Sequence, residues 1–208
     1  MTQENFKSIL KEYVPYTYEE SLQALEKMFS LEPKKVKYMY VFAGPNGSGK
    51  STLIANLYNK YAISEHYNNA DIIAKQIKGS VIDQAKRDYI AMGYTTDMVK
   101  KHIENGDSFA YETVLSHKSK LDIVKYAKDN GYKIVTYFVY TKSPKINVER
   151  VERRVEQGGH NVPKEKIVDR YYRSIDNAKE LKELSDEFYT FDNSLTLDAT
   201  MKEERQKD

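Results

Sequence analysis

Apolar and polar positions divide the chain into short strands alternating with amphipathic helices. Residues 37–43 are an apolar run, and downstream of it Leu53, Ile54 and Leu57 recur on one side of a helix spanning 50–61. The segment 66–71 (HYNNAD) predicts a short strand feeding a helix at 72–77, and 81–105 reads as largely helical with a break near Gly93. Residues 108–116 (SFAYETVLS) predict a strand, and 117–129 a helix closed by Asn130-Gly131, a good helix terminator. YKIVTYFVY (132–140) has little alternation, as a strand buried on both faces of a parallel sheet requires. Helices follow at 144–156, with Val148, Val151 and Val155 as the buried stripe, and at 164–183; EFYTFDN (187–193) is the last strand. Near the N-terminus, Leu22, Leu25, Met28 and Phe29 lie at helical spacing in one or two helices over 5–30, interrupted at Pro15.

Strands alternating with helices predict an α/β fold, a doubly wound parallel sheet with helices on both faces. The predicted organisation is an N-terminal helical extension over 1–35, one α/β domain over 36–195, and a charged, frayed tail over 196–208. Composition narrows the function. With 33 basic against 31 acidic side chains among 208 residues, the formal net charge is +2, which argues against an electrostatically driven nucleic-acid binder. The absence of cysteine excludes disulfides and thiolate metal sites and fits a reducing compartment. No signal-like apolar segment opens the chain, and no apolar run approaches the ~20 residues of a membrane helix. These features predict a soluble cytoplasmic protein with no membrane association.

Within that frame, Gly44-Pro45-Asn46-Gly47-Ser48-Gly49-Lys50-Ser51-Thr52 satisfies G-x-x-x-x-G-K-[ST] between a strand and a helix. Glycines let successive backbone N–H groups converge on a phosphate, and the helix beginning near Lys50 adds its positive end. Lys50 is expected to bridge the β- and γ-phosphates of ATP, and the Ser51 hydroxyl to ligate Mg²⁺. A guanine reader of the Asn-Lys-x-Asp type is missing, since Thr141-Lys142-Ser143-Pro144 lacks the Asp; so is the LSGGQ signature of transporter ATPases. A small phosphotransferase remains. Such enzymes place an acceptor-activating carboxylate at the carboxyl end of a strand and bring arginines from a lid.

Asp71, Glu112 and Asp192 sit where strands end. Asp71 opens a helix, so helix capping and proton acceptance are both open to it. Glu112 lies in an otherwise apolar and aromatic strand, where a carboxylate needs a partner; a structural salt bridge and a site role are the two readings. Asp192 reads as a turn residue. On the 144–156 helix, at about 100° per residue, Arg153 points away from the valine stripe while Arg150 and Arg154 flank it. Glu149, Glu152 and Glu156 offer the alternative of a solvated charged face. Arg170 lies nearer the Ile167/Tyr171/Ile175 stripe than Arg173 does, and Gly158-Gly159-His160 reads as a hinge within a lid over about 144–165.

AGPNGSGKST (43–52), NNADIIA (68–74), FAYETVLS (109–116), GYKIVTYFVY (131–140), and RVERRVEQGGHNVP with IVDRYYRSIDN (150–163, 167–177) together resemble the zeta toxin family of P-loop kinases, in particular its short, chromosomal branch. The resemblance covers residue 37 to about 193. It implies an adenylate-kinase-like P-loop fold, ATP and Mg²⁺ as cofactors, and phosphorylation of a sugar-nucleotide hydroxyl such as that of UDP-N-acetylglucosamine. It further implies Asp71 as catalytic base, Glu112 and Thr113 on the substrate side, Lys50 with Arg150 or Arg154 on the triphosphate, and an antitoxin protein as a possible partner. Where the long toxins carry a second arginine, this chain has His160, whose neutral imidazole would grip phosphate less strongly than a guanidinium. Another small-molecule acceptor (a nucleoside or an antibiotic), a nucleic-acid end, and an ATP-gated interaction protein without transfer stay open as alternatives. Residues 1–35 are expected to cover the sheet or to act as a tethered inhibitor.

Overall fold

The computed structural model describes residues 36–60, 66–77, 83–159 and 161–194. The readings made for residues 1–35, for the tail and for His160 lie outside the described residues. Five strands are present among those described: β1 (Tyr38–Ala43), β2 (Tyr67–Asn68), β3 (Phe109–Thr113), β4 (Lys133–Tyr140) and β5 (Glu187–Asp192). Between them run α1 (Lys50–Lys60), α2 (Ala70–Gln76), α3 (Gln84–Asn105), α4 (Ser119–Asp129), α5 (Pro144–Glu156) and α6 (Lys164–Leu184). The sheet has the order β2-β3-β1-β4-β5, and every pairing is parallel. β1 therefore lies at the centre with β3 and β4 on either side. The chain passes to opposite sides of β1, which opens a crevice at the carboxyl ends of the strands.

Two differences from the sequence reading have physical causes. α3 runs unbroken through Gly93, because Ala91, Val99 and Ile103 bury one side of it and outweigh the ~1 kcal/mol that glycine costs a helix. The strand expected at 66–71 shrinks to Tyr67–Asn68, because Asn69 leaves the ladder to cap α2: its side chain accepts the Asp71 amide at 2.7 Å.

The sheet's period of two sorts its side chains onto two faces. One face carries Met39, Val41, Ala43, Phe109, Tyr111, Ile134 and Phe138 into a core completed by α3, α4 and Leu181 of α6. The other carries Phe42 and Ala110 beneath Ile54 of α1, beside stacked Phe42–Tyr137 and Tyr137–Tyr189 rings. A separate small cluster of Val148, Val151, Val162 and Ile167 joins α5 to α6. Burial of Tyr111 among apolar neighbours pushes its phenol up to about 12.

Ile134 is wholly buried at the centre of the first face. Ile134→Ala is expected to lower stability by about 2–5 kcal/mol in urea titration, whereas a change at exposed Tyr126 stays within about 0.5 kcal/mol.

Candidate active site

After β1 the chain turns at Gly44 with φ 144°, and a Cβ there would lie 2.0 Å from the carbonyl oxygen of Val139. Only glycine fits. The loop is then held from outside by two buried amides: Asn147 Nδ2 of α5 donates to Asn46 O at 2.6 Å, and Asn193 Nδ2, just past β5, donates to Ser48 O at 2.7 Å. Asn147 is itself fixed, since its Oδ1 accepts the Thr141 hydroxyl and the Thr141 carbonyl accepts the Tyr171 hydroxyl of α6 at 2.6 Å. The first turn of α1 contains no acidic residue, which leaves the helix's positive end open to an anion. Lys50 Nζ donates to the carbonyls of Gly44 (2.9 Å) and Pro45 (3.0 Å). Burial pulls its pKa down and the Arg154 charge adds to this, while Glu112 and Asp71 act in the opposite sense.

Glu112 shares its sheet face with Ala110, and register sets it beside Phe42 near the end of β1. That geometry aims its carboxylate at the start of α1. Oε1 accepts the Ser51 hydroxyl at 3.3 Å, and Oε2 accepts Asn69 Nδ2 at 2.8 Å and the Tyr67 hydroxyl. The salt-bridge reading is thus replaced: three neutral donors, and no cation among the described residues, satisfy Glu112. Burial and the adjacent carboxylate raise the Tyr67 pKa, so this phenol stays a proton donor. Asp71 is not the helix cap, a place taken by Asn69; it stands in the first turn of α2, exposed, and its carboxylate makes no hydrogen bond or ion pair with a described residue.

Asp71, Glu112 and Thr113 line one cavity of about 1010 Å³, together with Gly47, Lys50, Ser51 and Thr52 of the loop. From the other side Arg150, Arg154, Gly159 and Arg170 complete it. Asn147, Arg150 and Arg154 follow at i, i+3 and i+7, so one side of α5 braces the loop and presents both guanidinium groups. Arg150 Nη1 is buried without a hydrogen-bond partner among the described residues, and its pKa is lowered, by burial and then by the charge of Arg153. Arg153 is exposed, and Arg173 pairs with Asp169 outside the cavity. Gly159 packs on α5 so closely that a Cβ would lie 2.7 Å from the Arg154 carbonyl oxygen. Asp192 ends β5 and accepts the Ser194 amide at 2.9 Å, a turn contact.

Sequence reasoning missed Asn147, Asn193, Tyr67, Asn69 and Lys120. Tyr67 and Asn69 could have been found from strand alternation, since they reach the same face as Glu112. Lys120 lines the cavity with its pKa lowered by burial, and nothing in its sequence context marks it.

A phosphate loop after β1 of a 2-3-1-4-5 parallel sheet, sharing one cavity with carboxylates and with the arginines of α5 and α6, defines a P-loop phosphotransferase. The zeta toxin family model matches residues 22–195, reaching further toward the N-terminus than the sequence motifs do. The chain belongs to the zeta toxin family and is, with it, an ATP-dependent phosphotransferase. An uncharacterised protein of Haemophilus influenzae is 30% identical over 151 residues, which are 70% of this chain and 98% of that one. Among solved structures, PezAT, a chromosomal toxin–antitoxin system of Streptococcus pneumoniae, superimposes with a TM-score of 0.57 at 15% identity, covering 88% of this chain and 79% of that one. AvrRxo1-ORF1:ORF2 with ATP does so with a TM-score of 0.57 at 15% identity, over 76% of this chain and 52% of that one. Among the described residues no helix is long and apolar enough to cross a membrane.

Asn147→Ala is expected to weaken ATP binding by about tenfold or more, roughly 1.4 kcal/mol, and to lower stability by about 1–3 kcal/mol by unpairing the Asn46 carbonyl and Thr141. Arg153→Ala, on the far side of the same helix, should change neither. Calorimetric ATP titration and thermal melting of both variants check this.

Proposed function

We propose that the protein transfers the γ-phosphoryl group of ATP to a hydroxyl of a small molecule, a sugar nucleotide such as UDP-N-acetylglucosamine, with Asp71 as general base. The observation that carries the reading is the contrast between the two carboxylates in one cavity. Glu112 is held in place by three donors, whereas Asp71 has no described partner and shares the cavity with Lys50 and with Arg150, whose Nη1 has no described hydrogen-bond partner. A proton acceptor must have a free lone pair, and a positioning group must not move. The two side chains fit those separate roles.

In this mechanism the loop amides and Lys50 hold the triphosphate, and Lys50 leaves the Gly44 and Pro45 carbonyls to do so. The acceptor oxygen attacks the γ-phosphorus, the bond to the bridging oxygen breaks, and Asp71 takes the hydroxyl proton. Arg150 and Arg154 place positive charge against the equatorial oxygens. Glu112, Thr113 and His160 are assigned to the acceptor. The hydroxyl of Ser51 and the neighbouring Glu112 carboxylate are hard oxygen donors of the kind Mg²⁺ takes, and Ser51 would hold that ion. Bound there, Mg²⁺ would supply positive charge against the triphosphate. PezAT is a toxin–antitoxin system, and a protein antitoxin is the partner this reading gives the chain.

Asp71→Asn should keep ATP affinity within about twofold while cutting transfer by ~10²–10⁴, the usual worth of a general base. Lys50→Ala should lose both. Transfer of label from γ-labelled ATP to UDP-N-acetylglucosamine, then to a panel of nucleosides and antibiotics, measures this. Wild-type turnover by Asp71→Asn would exclude it as base. ADP release that no acceptor increases would favour an ATP-gated binding protein.

A further inference from the structure

The amino-terminal edge of the sheet, opposite the phosphate loop, carries a second constellation. α3 ends there in a turn at Gly106 (φ 76°), with the Gly106 amide donating to Ile103 O at 3.2 Å and the Asp107 amide to His102 O at 3.0 Å. This pairing folds the residue after the glycine back over the last helical turn, where an apolar contact usually forms. Here the two side chains are an imidazole and a carboxylate: His102 Nδ1 lies 3.4 Å from Asp107 Oδ2. A second imidazole comes from the neighbouring element, since His66, immediately before β2, stacks on His102 with ring centroids 4.5 Å apart. One donor atom from each of the three residues lies within 4.8 Å of the others.

We propose that His66, His102 and Asp107 bind a divalent transition-metal ion of the Zn²⁺ class, clamping the root of β2 to the turn between α3 and β3. Zn²⁺ takes imidazole nitrogen and carboxylate oxygen at about 2.0–2.2 Å, which sets tetrahedral donors roughly 3.3 Å apart. The His102–Asp107 pair already has that separation, and rotation of the exposed His66 ring closes the rest. Two imidazoles and one carboxylate suit Zn²⁺ and its first-row neighbours and not Mg²⁺, so the site is chemically distinct from the oxygen donors beside the loop. Three protein ligands leave a position for water. His102 is only 8% exposed, and the frame around the donors is fixed. The Tyr132 hydroxyl lies 2.8 Å from the carbonyl oxygens of both His102 and Asp107, and the His66 carbonyl accepts the Ala110 amide at 2.8 Å. β2 is only two residues long and pairs with β3 alone, yet the Tyr67 and Asn69 that hold Glu112 lie in it and just past it. A cross-link at His66 therefore stiffens the support of the catalytic cavity from the far edge of the sheet.

Titration of the full, chelator-treated chain with Co²⁺, in excess Mg²⁺, tests the site by visible absorption. The expected result is uptake of one equivalent with the intense bands of a four- or five-coordinate ion, displaced by Zn²⁺. His66→Ala and Asp107→Asn should each weaken uptake at least about tenfold, while His117→Ala leaves it unchanged. The metal-free His66→Ala chain should keep the wild-type circular dichroism spectrum, which keeps a lost site distinct from a lost fold. No saturable uptake, or uptake undiminished in both ligand variants, overturns the proposal.

Discussion

Inside the phosphate loop the Ser48 amide donates to Pro45 O at 3.3 Å and Lys50 holds the Gly44 and Pro45 carbonyls, so something outside the loop must hold the carbonyls of Asn46 and Ser48. Here two buried carboxamides do so. Asn147 and Asn193 each donate to a loop carbonyl, at Asn46 and Ser48, and so fix the orientation of those two peptide units. Each of those hydrogen bonds contributes only about 1 kcal/mol net, but leaving either partner unmade in a buried site would cost more. The loop's glycines are the other half of the same constraint, since Gly44 sits against the Val139 carbonyl with no room for a side chain.

The brace also explains how the site is wired. Asn147 belongs to the same side of α5 as Arg150 and Arg154, and its amide is locked through Thr141 to Tyr171 of α6. A movement of α5 therefore shifts the loop support and both guanidinium groups together, whereas Val148 and Val151 keep α5 and α6 as one packed unit. On the facing side the division between Glu112 and Asp71 has a similar logic. One carboxylate is immobilised by Ser51, Tyr67 and Asn69 at the strand end, and the other is carried on the first turn of α2 beside it.

Much of this was legible in the sequence, and the exceptions share a cause. Strand and helix periods placed every described element, and counting residues around α5 separated Arg150 and Arg154, which reach the cavity, from Arg153, which does not. Local chemistry that had several equivalent solutions was not legible. In Asn68-Asn69-Ala70-Asp71 the sequence left helix capping open to Asp71, and backbone geometry chose Asn69. Gly93 suggested a break, but packing of its neighbours decided for continuity. Asn147 and Asn193 act across separations of 101 and 145 residues, and nothing beside them in the chain announces that reach. Likewise His66 meets His102 only because β2 and β3 are neighbours in the sheet.

The central claim is that the lysine now capping the loop carbonyls is the group that receives the nucleotide. A crystal structure with a nonhydrolysable ATP analogue and Mg²⁺ tests it most directly. The account predicts Lys50 Nζ withdrawn from Gly44 and Pro45 and bonded to β- and γ-phosphate oxygens, with Asn147 and Asn193 still on the loop. A nucleotide bound while Lys50 stays on those two carbonyls would contradict it.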